Sequence, residues 1–408
     1  MPAPAAMSPV VEAALRTTGR VVETAEHAMQ AVARPRIVIV GIGKTPPQTT
    51  RTLIEEAVKR GLEPGVDIIA TRYADLRVGV DGGFVRLAEG TGADGLVLAG
   101  QGQQSLFLFR GGGNLTAQHM RKIGAIQAVD GATAITDLSF IQRAGSKSTT
   151  YDLLHAAGLS LAETQTVRSA DEAIAAFDTI TGRFGAQTAV LKKVNSLGGK
   201  DVHFVTSHEE IRAVIAREPN ATYVMQEYLP HARDQDVRVH LVWNHESGDF
   251  EVANSYIRNR TPFQPTPNLA NGGYPTTYAL SPWEEAQALR AARALAAGSP
   301  HPPVHVGLDF FPRAPITAST VERNAALREQ IASGAISRAE AIAQGADSVV
   351  IGEAASSAGT KGTEIVLGEG NNPVARRIID EIMHIREHGV SAPIALTDAQ
   401  AGARLVQP

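Results

Sequence analysis

Apolar and polar positions change their spacing along the chain and divide it into three successive regions. The first region opens with the β-branched run RIVIVGIGK, which predicts a buried strand, followed by a helix, TTRTLIEEAVKRG, that ends at Gly61. VDIIAT and ADGLVLAG predict further strands, and LRVGVDGGFVRL predicts a pair that turns at Asp81 and Gly82. Together they predict a small α/β unit, a half-Rossmann layer, that ends near residue 130 and follows a helix-like N-terminal extension.

The second region runs from Thr136 to about Thr222 and alternates between helical and strand periods. Two predicted helices, SKSTTYDLLHAAG and SADEAIAAFDTITGRFG, precede the strands TAVLKKV and DVHFVT and the helix SHEEIRAVIARE. Ser207 and Glu210 form a capping-box pattern at the start of that last helix. The pattern predicts a compact α+β unit in which LKKVNSLGGKDV is a hairpin.

The third region predicts an antiparallel sheet with a helix packed on it. DVRVHLVWN and FEVANSYIRN form a strand pair joined by HESGD, and a loop rich in Pro, Asn and Gly follows at 261–276. A helix, PWEEAQALRAARALAAG, then precedes the strands HVGLDFF and SVVIGEA, which an Ala/Glu-rich helical stretch separates. Asn372, Pro373 and Gly389 mark the two ends of a terminal helix.

Composition limits the classes of molecule that the protein is expected to bind. The chain has 408 residues, of which 43% are hydrophobic and 20% charged, with a net charge of -4 and no cysteine. This charge gives no attraction to nucleic acid or to an anionic membrane, and no apolar run approaches the roughly 20 residues that a bilayer demands. The absence of cysteine excludes disulfides and thiolate chemistry, so we expect a cytoplasmic protein that acts on small molecules.

Several short motifs fail on inspection. GIGKTP has Pro46 where a dinucleotide loop needs its third glycine, and a Walker A loop would need glycine at Val194 and Ser or Thr at Asp201. HIREH at 384–388 fits an inverted zinc peptidase motif, but it ends a helix, where the helix dipole favours histidine. The pair Ser356 and Ser357 has no evident histidine partner for nucleophilic catalysis.

The remaining candidate is a phosphate-binding site. Glycines let backbone N–H groups approach phosphate oxygens, and the hairpin LKKVNSLGGKDV adds lysines to paired glycines. In isolation, an exposed β-turn with solvated lysines explains this hairpin better. QEYLP lies at the seam between the second and third regions, and Asp309 and Glu353 lie on two separate late strands. Two such carboxylates are typical of a magnesium site for a nucleotide. Taken in this order, the features predict nucleotide binding.

In this order the features resemble the ATP-grasp superfamily, and within it the RimK-like carboxylate–amine ligases, from residue 36 to about residue 388. The resemblance places Lys147 at the family's first nucleotide-binding lysine and Lys192 at the second, with Lys193 pointing the opposite way. It implies nucleotide binding by Lys147, Lys192, Gly198, Gly199, Gln226, Glu227, Tyr228, Leu229, Asp236, Arg238 and Asn271. It implies catalytic roles for Lys192 and Arg258, and metal binding by Asp309 and Glu353.

The sequence departs from the family pattern at two places. Ala355 stands where the family has a metal-binding asparagine, so water, Ser356 or Asn371 would have to supply that oxygen. An alternative register in EGNNP makes Glu369 and Asn371 the ligands. The interval between Asp309 and Glu353 is also longer than the family's short hairpin, and the extra helical stretch would be a partner surface or a substrate lid.

The resemblance implies an ATP-grasp fold of mixed α/β and α+β class. Its parts would be an N-terminal extension (1–35), a pre-ATP-grasp α/β domain (36–135), a lid (136–226), a C-terminal antiparallel-sheet subdomain (227–395) with a helical insertion at about 314–346, and a tail (396–408).

The implied activity is ATP-dependent ligation of a carboxylate to an amine through an acyl phosphate, with ATP and Mg²⁺, or Mn²⁺ in its place. The substrates would be an amino acid or a small peptide, and a homo-oligomer is left open. Two alternatives stay open as well: a ligase or macrocyclase that tailors a peptide precursor, and a non-catalytic ATP-binding module, which the departure at Ala355 motivates.

Overall fold

A computed structural model of the chain describes residues 34–43, 46–79, 81–88, 95–111, 115–196, 201–264, 266–344 and 349–394. Most of the predicted N-terminal extension, the paired glycines Gly198 and Gly199, and the C-terminal tail lie outside these residues. Among the helices of the described ranges, none combines the length and the apolarity that a membrane crossing requires.

The first region contains two sheets instead of one. In chain order its elements are β1 (Arg36–Gly41), α1 (Gln48–Lys59), β2 (Ile68–Arg72), β3 (Leu76–Val78), β4 (Phe84–Leu87), β5 (Val97–Gly100), β6 (Ser105–Phe109), α2 (Ala117–Gln127) and β7 (Ala132–Ala134). A parallel sheet has the order β2-β1-β6-β7, and β3, β4 and β5 form a small antiparallel sheet.

The prediction for this region was wrong in one respect. ADGLVLAG was expected in the α/β layer, but its strand β5 pairs with β4, and the neighbour of β1 is β6, whose run SLFLF was not predicted as a strand. All five residues of β6 are buried, because helices cover both faces of a parallel sheet. Such an unbroken apolar run lacks the alternation that identifies a half-exposed strand.

The second region forms a four-stranded antiparallel sheet with two helices on one face. Its elements are α3 (Leu138–Gly145), α4 (Lys147–Ala156), β8 (Thr164–Val167), α5 (Ala170–Phe184), β9 (Ala189–Lys193), β10 (Val202–Val205), α6 (His208–Arg217) and β11 (Tyr223–Glu227). The strand order is β10-β9-β11-β8, so the predicted hairpin β9–β10 lies at one edge. Ser207 accepts a hydrogen bond from the Glu210 backbone N–H, as the capping pattern predicts.

The third region forms the largest sheet, with five antiparallel strands in the order β14-β13-β12-β15-β16. Its elements are β12 (Gln235–Asn244), β13 (Asp249–Asn259), β14 (Tyr274–Thr277), α7 (Pro282–Ala296), β15 (His305–Pro312), α8 (Ala318–Ala332), α9 (Arg338–Ala343), β16 (Val349–Ala355), α10 (Lys361–Leu367) and α11 (Pro373–His388). Asn372 accepts the Ala375 N–H and Gly389 closes α11, so both predicted ends are confirmed.

The two faces of this sheet differ in character, and this difference positions the site. Val237, Val239 and Leu241 of β12 point to an apolar core that includes α7. The residues that alternate with them, Asp236, Arg238 and His240, point to the opposite face, because side chains alternate along a strand. That polar face carries charged residues at the end that meets the second region.

Candidate active site

The main cleft lies between the inner face of the β8–β11 sheet and the polar face of the five-stranded sheet. Its volume is about 940 Å³, counted with the open space at its mouth, which is ample for a drug-sized molecule. The residues that line it come from β9, β10, β11, β12, β13, β15 and β16 and from the loop at 266–268. Both sheets therefore contribute to one site.

One end of the cleft is apolar and aromatic. Val190 on β9, Phe204 on β10 and Leu229 after β11 line it, and the ring of Tyr228 meets that of Phe204 edge-on at 5.6 Å between centroids. The guanidinium of Arg233 lies 5.4 Å from the centre of the Phe204 ring. A flat aromatic ligand would be held here by stacking and apolar contact.

Segment 226–229 joins the two sheets at this end, and its side chains are anchored. The Glu227 carboxylate accepts hydrogen bonds from Arg313 at 2.8 and 3.4 Å and from the Glu163 backbone N–H at 3.2 Å. Because Arg313 holds the carboxylate, the side chain of Glu227 stabilises the seam, while the backbone of this segment borders the cleft.

Lys192 is buried in the cleft, on the inner face of β9. Its Nζ donates to Gln226 Oε1 at 2.8 Å, lies 3.7 Å from Glu353 Oε1 and lies 4.8 Å above the Phe311 ring. Burial lowers the pKa of Lys192, and the nearby Glu353 carboxylate offsets part of this shift. Lys193 points to the other face of the sheet and pairs with Glu218, as strand alternation predicts.

The charged end of the cleft contains a chain of alternating charges across three neighbouring strands. Arg258 on β13 donates to Asp236 from Nε at 2.5 Å and from Nη2 at 2.7 Å, and its Nη2 lies 2.8 Å from Asp309 Oδ2. Arg238 donates to both oxygens of Asp309, at 2.5 and 3.1 Å. Two guanidiniums therefore hold Asp309, and all four groups are buried or nearly so.

The arginines determine the protonation of these carboxylates. Burial by itself would raise the pKa of Asp309, but the positive charges of Arg238 and Arg258 lower it to about 2. Burial raises the pKa of Asp236 to about 6, although Arg258 acts in the opposite direction. The Asp236 and Asp309 carboxylates in turn raise the pKa of Arg258, which stays charged.

Asp309 and Glu353 face each other across the β15–β16 pair, in register and beside a bulge. The Glu353 side chain is 31% exposed, so a ligand in the cleft can reach it. Within the described ranges no group of three or more His, Asp or Glu side chains has a metal-binding arrangement. Two carboxylates nevertheless fit Mg²⁺, since that ion commonly takes only one or two from the protein and the rest from phosphate and water.

The other metal-ligand alternatives receive no support from this placement. Ala355 lines the cleft but carries no oxygen on its side chain, and Ser356 is buried. Glu369 and Asn371 are exposed in the turn before α11 and do not line the cleft. Residues 318–343 of the insertion pack on α7, through ion pairs of Arg328 and Arg338 with Glu285, and none of them lines the cleft.

Most of the predicted nucleotide-binding residues line the cleft, and so do the predicted catalytic and metal-binding residues. They are Lys192, Gln226, Glu227, Tyr228, Leu229, Asp236 and Arg238, together with Arg258, Asp309 and Glu353. Lys147 does not line it; its Nζ donates to the Ser196 carbonyl at 2.7 Å, at the base of the β9–β10 loop. Asn271 does not line it either, whereas Asn268 does. Gly198 and Gly199 lie outside the described residues.

Sequence reasoning missed about half of the residues that line the cleft, among them Phe204, Arg233, Asn268 and Phe311. Phe204 could have been found, because it faces the same side of the β9–β10 hairpin as Val202 and Lys192. Phe311, Arg233 and Asn268 carry no comparable signal, since a bulge at Asp309 and Phe310 and two irregular segments place them.

Comparison with known proteins relates one part of the chain to a protein family. Residues 144–326 match the model of the RimK-like ATP-grasp domain. The matched range runs from the end of α3 into α8, so Glu353 on β16 lies beyond it.

Solved structures extend the ATP-grasp fold over most of the chain. The D-cycloserine synthetase DcsG has a TM-score of 0.58 at 15% identity, with 85% of this chain and 98% of that chain covered. A RimK domain ATP-grasp protein from Sphaerobacter thermophilus DSM 20745 has a TM-score of 0.53 at 15% identity, with 85% and 98% covered. The ATP-grasp ligase PsnB, complexed with minimal precursor, Mg and ADP, has a TM-score of 0.53 at 14% identity, with 86% and 98% covered. None of the curated proteins compared with the sequence matches it.

Residues 144–326 match the family that the resemblance implies, and the solved structures confirm the fold class that the sequence predicts. The fold is of mixed helix and sheet class, with one parallel sheet and several antiparallel sheets, and it is similar to the ATP-grasp fold of the solved structures. At identities of 14 to 15% the solved structures establish the fold alone.

Proposed function

We propose that this protein is an ATP-dependent carboxylate–amine ligase that acts on an amino acid or a small peptide. One observation carries the proposal: a single cleft joins an aromatic end to a charged end that holds three cations, Lys192, Arg238 and Arg258. The adenine of ATP would occupy the aromatic end, with its edge along segment 226–229. The polyphosphate would extend to the cations, whose charges match it.

The proposed reaction has two steps and needs no nucleophile from the protein. A substrate carboxylate oxygen attacks the γ-phosphorus of ATP, the bond to the β-phosphate oxygen breaks, and ADP leaves. The amine then attacks the carbonyl carbon of the acyl phosphate, phosphate leaves with the electron pair of the C–O bond, and the ammonium proton passes to solvent. Positioning and charge neutralisation would supply the rate enhancement.

Individual roles follow from the contacts. Lys192 would exchange its hydrogen bond with Gln226 for a phosphate oxygen, because it is buried at the junction of the aromatic and charged ends. Arg258 has a guanidinium held in place by Asp236, so it can stabilise negative charge that develops on the transferred phosphoryl group. We retain Lys147, Asn271 and the glycines Gly198 and Gly199 as proposed contacts of the nucleotide.

Asp309 and Glu353 would hold Mg²⁺, or Mn²⁺ in its place, together with phosphate oxygens. When bound, the ion would offset phosphate charge and polarise the transferred group. Because both oxygens of Asp309 accept hydrogen bonds from guanidiniums, metal binding would be coupled to the movement of Arg238 toward the phosphates.

The direct test is ADP release by the purified protein with ATP, Mg²⁺ and mixtures of amino acids. Lys192→Ala and Asp309→Ala should abolish release, whereas the neighbouring Lys193→Ala should keep it, because Lys193 points away from the cleft. The absence of stimulation by every acid–amine pair would contradict ligase activity. If ATP still bound in a calorimeter without Mg²⁺ and without turnover, the protein would be a non-catalytic ATP-binding module.

A second candidate is a ligase or macrocyclase that tailors a peptide precursor. The observation that favours it is β14, an edge strand with an exposed Tyr274 beside the cleft-lining residues 266–268, and Phe263 in the same loop is 96% exposed. An extended peptide could add to this edge by backbone hydrogen bonds. Stimulation of ADP release by peptides but by no free amino acid would favour this candidate. We place either activity in the cytoplasm, with the oligomeric state open.

A further inference from the structure

The carboxyl end of β6 in the parallel sheet meets the loop that follows β16, where Arg110 donates to the carbonyls of Ser357 and Ala358. β1 and β6 are adjacent and parallel, but the chain leaves β1 through α1 toward β2 and leaves β6 through α2 toward β7. α1 and α2 pack on opposite faces of this sheet. Ligands of open parallel sheets bind in the crevice outside the carboxyl ends of two such strands. Arg110 is the first residue beyond the carboxyl end of β6.

Arg110 is only 8% exposed, yet no carboxylate among the described residues pairs with it. Its Nη2 donates to the carbonyls of Ser357 at 3.4 Å and Ala358 at 3.2 Å, while Nε and Nη1 bond to no described residue. Burial lowers the pKa of Arg110 to about 10, which leaves it charged at neutral pH. By contrast, Lys192 and Arg258, which are equally buried, each lie within 4 Å of a carboxylate.

An unpaired buried charge is costly, and a guanidinium with free donors is suited to a carboxylate. Neutral carbonyls satisfy the Nη2 group, but they leave the charge itself without a counterion. The Ser357 hydroxyl belongs to the residue whose carbonyl contacts this guanidinium. It accepts the Gly111 backbone N–H at 3.2 Å, and its own proton has no acceptor among the described residues. The crevice therefore presents several unused donors around one charge.

The crevice is connected to the candidate active site through β16 and the loop after it. Ser357 follows Glu353 by four residues, so their Cα atoms are at most about 14 Å apart even if the chain is fully extended. A carboxylate held by Arg110 would therefore belong to a molecule that extends to the phosphate end of the cleft by roughly the length of an amino acid or a dipeptide.

We propose that Arg110, with the Ser357 hydroxyl, binds a carboxylate of the substrate that does not react. This inference rests on the proposed ligase function and adds to it the chemical class of one substrate: an amino acid or short peptide that keeps a free carboxylate. Arg110 and Ser357 then determine specificity for an anionic end group, while the cleft residues act on the reacting group.

The experiment is calorimetric binding with the full chain saturated with a non-hydrolysable ATP analogue and Mg²⁺. The probes are the common amino acids and the dipeptide alanyl-alanine, each compared with its carboxamide. The wild type should bind at least one acid about tenfold or more tightly than its amide, because charge-assisted hydrogen bonds are lost in the amide. Arg110→Met should bind that acid as weakly as the amide, and Arg110→Lys should recover part of the preference.

Arg290→Met is the matched control. Arg290 also donates only to backbone carbonyls, those of Ala157 and Gly158, but it lies on α7, away from the crevice. It should bind both probes as the wild type does. The proposal is overturned if the wild type binds acid and amide equally, if it binds no acid, or if Arg110→Met keeps the preference. The same holds if that variant weakens binding of the ATP analogue and of both probes in parallel, which would indicate a structural role.

The two proposals fail in different ways. Carboxylate-selective binding without ADP release would reject the ligase function and retain the Arg110 site as a binding site. ADP release that is equal with an acid and its amide at the same end would retain the ligase and reject the Arg110 site.

Discussion

The hydroxyl of Tyr151 on α4 donates a hydrogen bond to the backbone carbonyl of Gly352, the residue before Glu353. The same hydroxyl accepts a hydrogen bond from Gln226 Nε2 at 2.6 Å, and Gln226 Oε1 accepts one from Lys192. A continuous series of hydrogen bonds therefore joins Lys192 on β9 to β16, the strand that carries the proposed metal ligand Glu353. Through these hydrogen bonds, Tyr151 on α4 helps to position both Lys192 and the backbone next to Glu353.

Removal of this hydroxyl should uncouple the two sides of the cleft. Tyr151→Phe leaves the Gly352 carbonyl and one Gln226 N–H without partners, so we expect the unfolding free energy to fall by about 1 to 3 kcal/mol. Affinity for ATP should fall as well, as measured by calorimetry. Tyr223→Phe is the control, because the Tyr223 hydroxyl bonds to no described residue. Equal effects of the two variants would contradict this role for Tyr151.

Proton uptake on nucleotide binding should report on Lys192. Burial lowers its pKa in the free protein, and phosphate oxygens would raise that pKa in the complex. At a pH between the two values, binding must take up a proton. Calorimetry over a series of pH values, in buffers of different ionisation enthalpy, should detect this uptake in the wild type and not in Lys192→Arg, which stays charged. Equal uptake by both proteins would assign the proton to another group.

Loss of charge at Asp309 should affect stability and metal dependence together. Asp309→Asn leaves Arg238 without its carboxylate in a buried place, which should lower the unfolding free energy by about 3 kcal/mol or more. ATP affinity should then no longer increase with Mg²⁺. Asp234→Asn is the control, because the Asp234 side chain is 59% exposed in its pair with Arg260 and should cost less than about 1 kcal/mol. A full response to Mg²⁺ in Asp309→Asn would exclude Asp309 as a ligand.

A side chain at position 352 should disturb the cleft without any change of charge. A Cβ on Gly352 would lie 2.2 Å from the Phe311 ring, whose face contacts Lys192. Gly352→Ala should therefore displace the ring, lower the unfolding free energy by about 1 to 3 kcal/mol and weaken ATP binding. At Gly359 the nearest atom would be 3.7 Å away, so Gly359→Ala should change neither quantity. Wild-type ATP affinity in Gly352→Ala would show that the ring position is unimportant.

The buried pair His240 and His305 should make stability depend on pH. Their rings share a hydrogen bond of 3.0 Å, and burial lowers the pKa of both, that of His305 to about 3. The positive charges of Arg110 and Arg238 face the pair and lower both values further, as Arg258 also does for His240. Because the folded values lie below the ordinary 6.5, stability is complete above that pH and falls as the pH decreases toward 3.

A double variant tests this dependence without leaving an unpaired imidazole. Between pH 7.5 and pH 5 the wild type should lose about 2 kcal/mol of unfolding free energy through His305, and His240 should add to this loss. His240→Leu/His305→Leu should lose correspondingly less over the same range in urea titrations. An identical loss in both proteins would place the acid sensitivity elsewhere.

The sequence alone specified the elements whose pattern is local. Alternation predicted β12, β13 and β15, and the caps at Ser207, Asn372 and Gly389 lie where short polar residues and glycine satisfy helix ends. Strand alternation also separated Lys192 from Lys193. The family resemblance named ten of the residues that line the cleft, because it rests on the order and spacing of residues along the chain.

Only the tertiary structure decided which distant groups meet. Three sets of contacts join residues from different strands and loops. Arg258 pairs with both Asp236 and Asp309, Arg313 pairs with Glu227, and Arg110 donates to the Ser357 carbonyl. Local pattern carries no information about such contacts, since they depend on sheet order and register. The placement of β6 between β1 and β7, which brings Arg110 to the crevice, is decided by burial on both faces of the sheet.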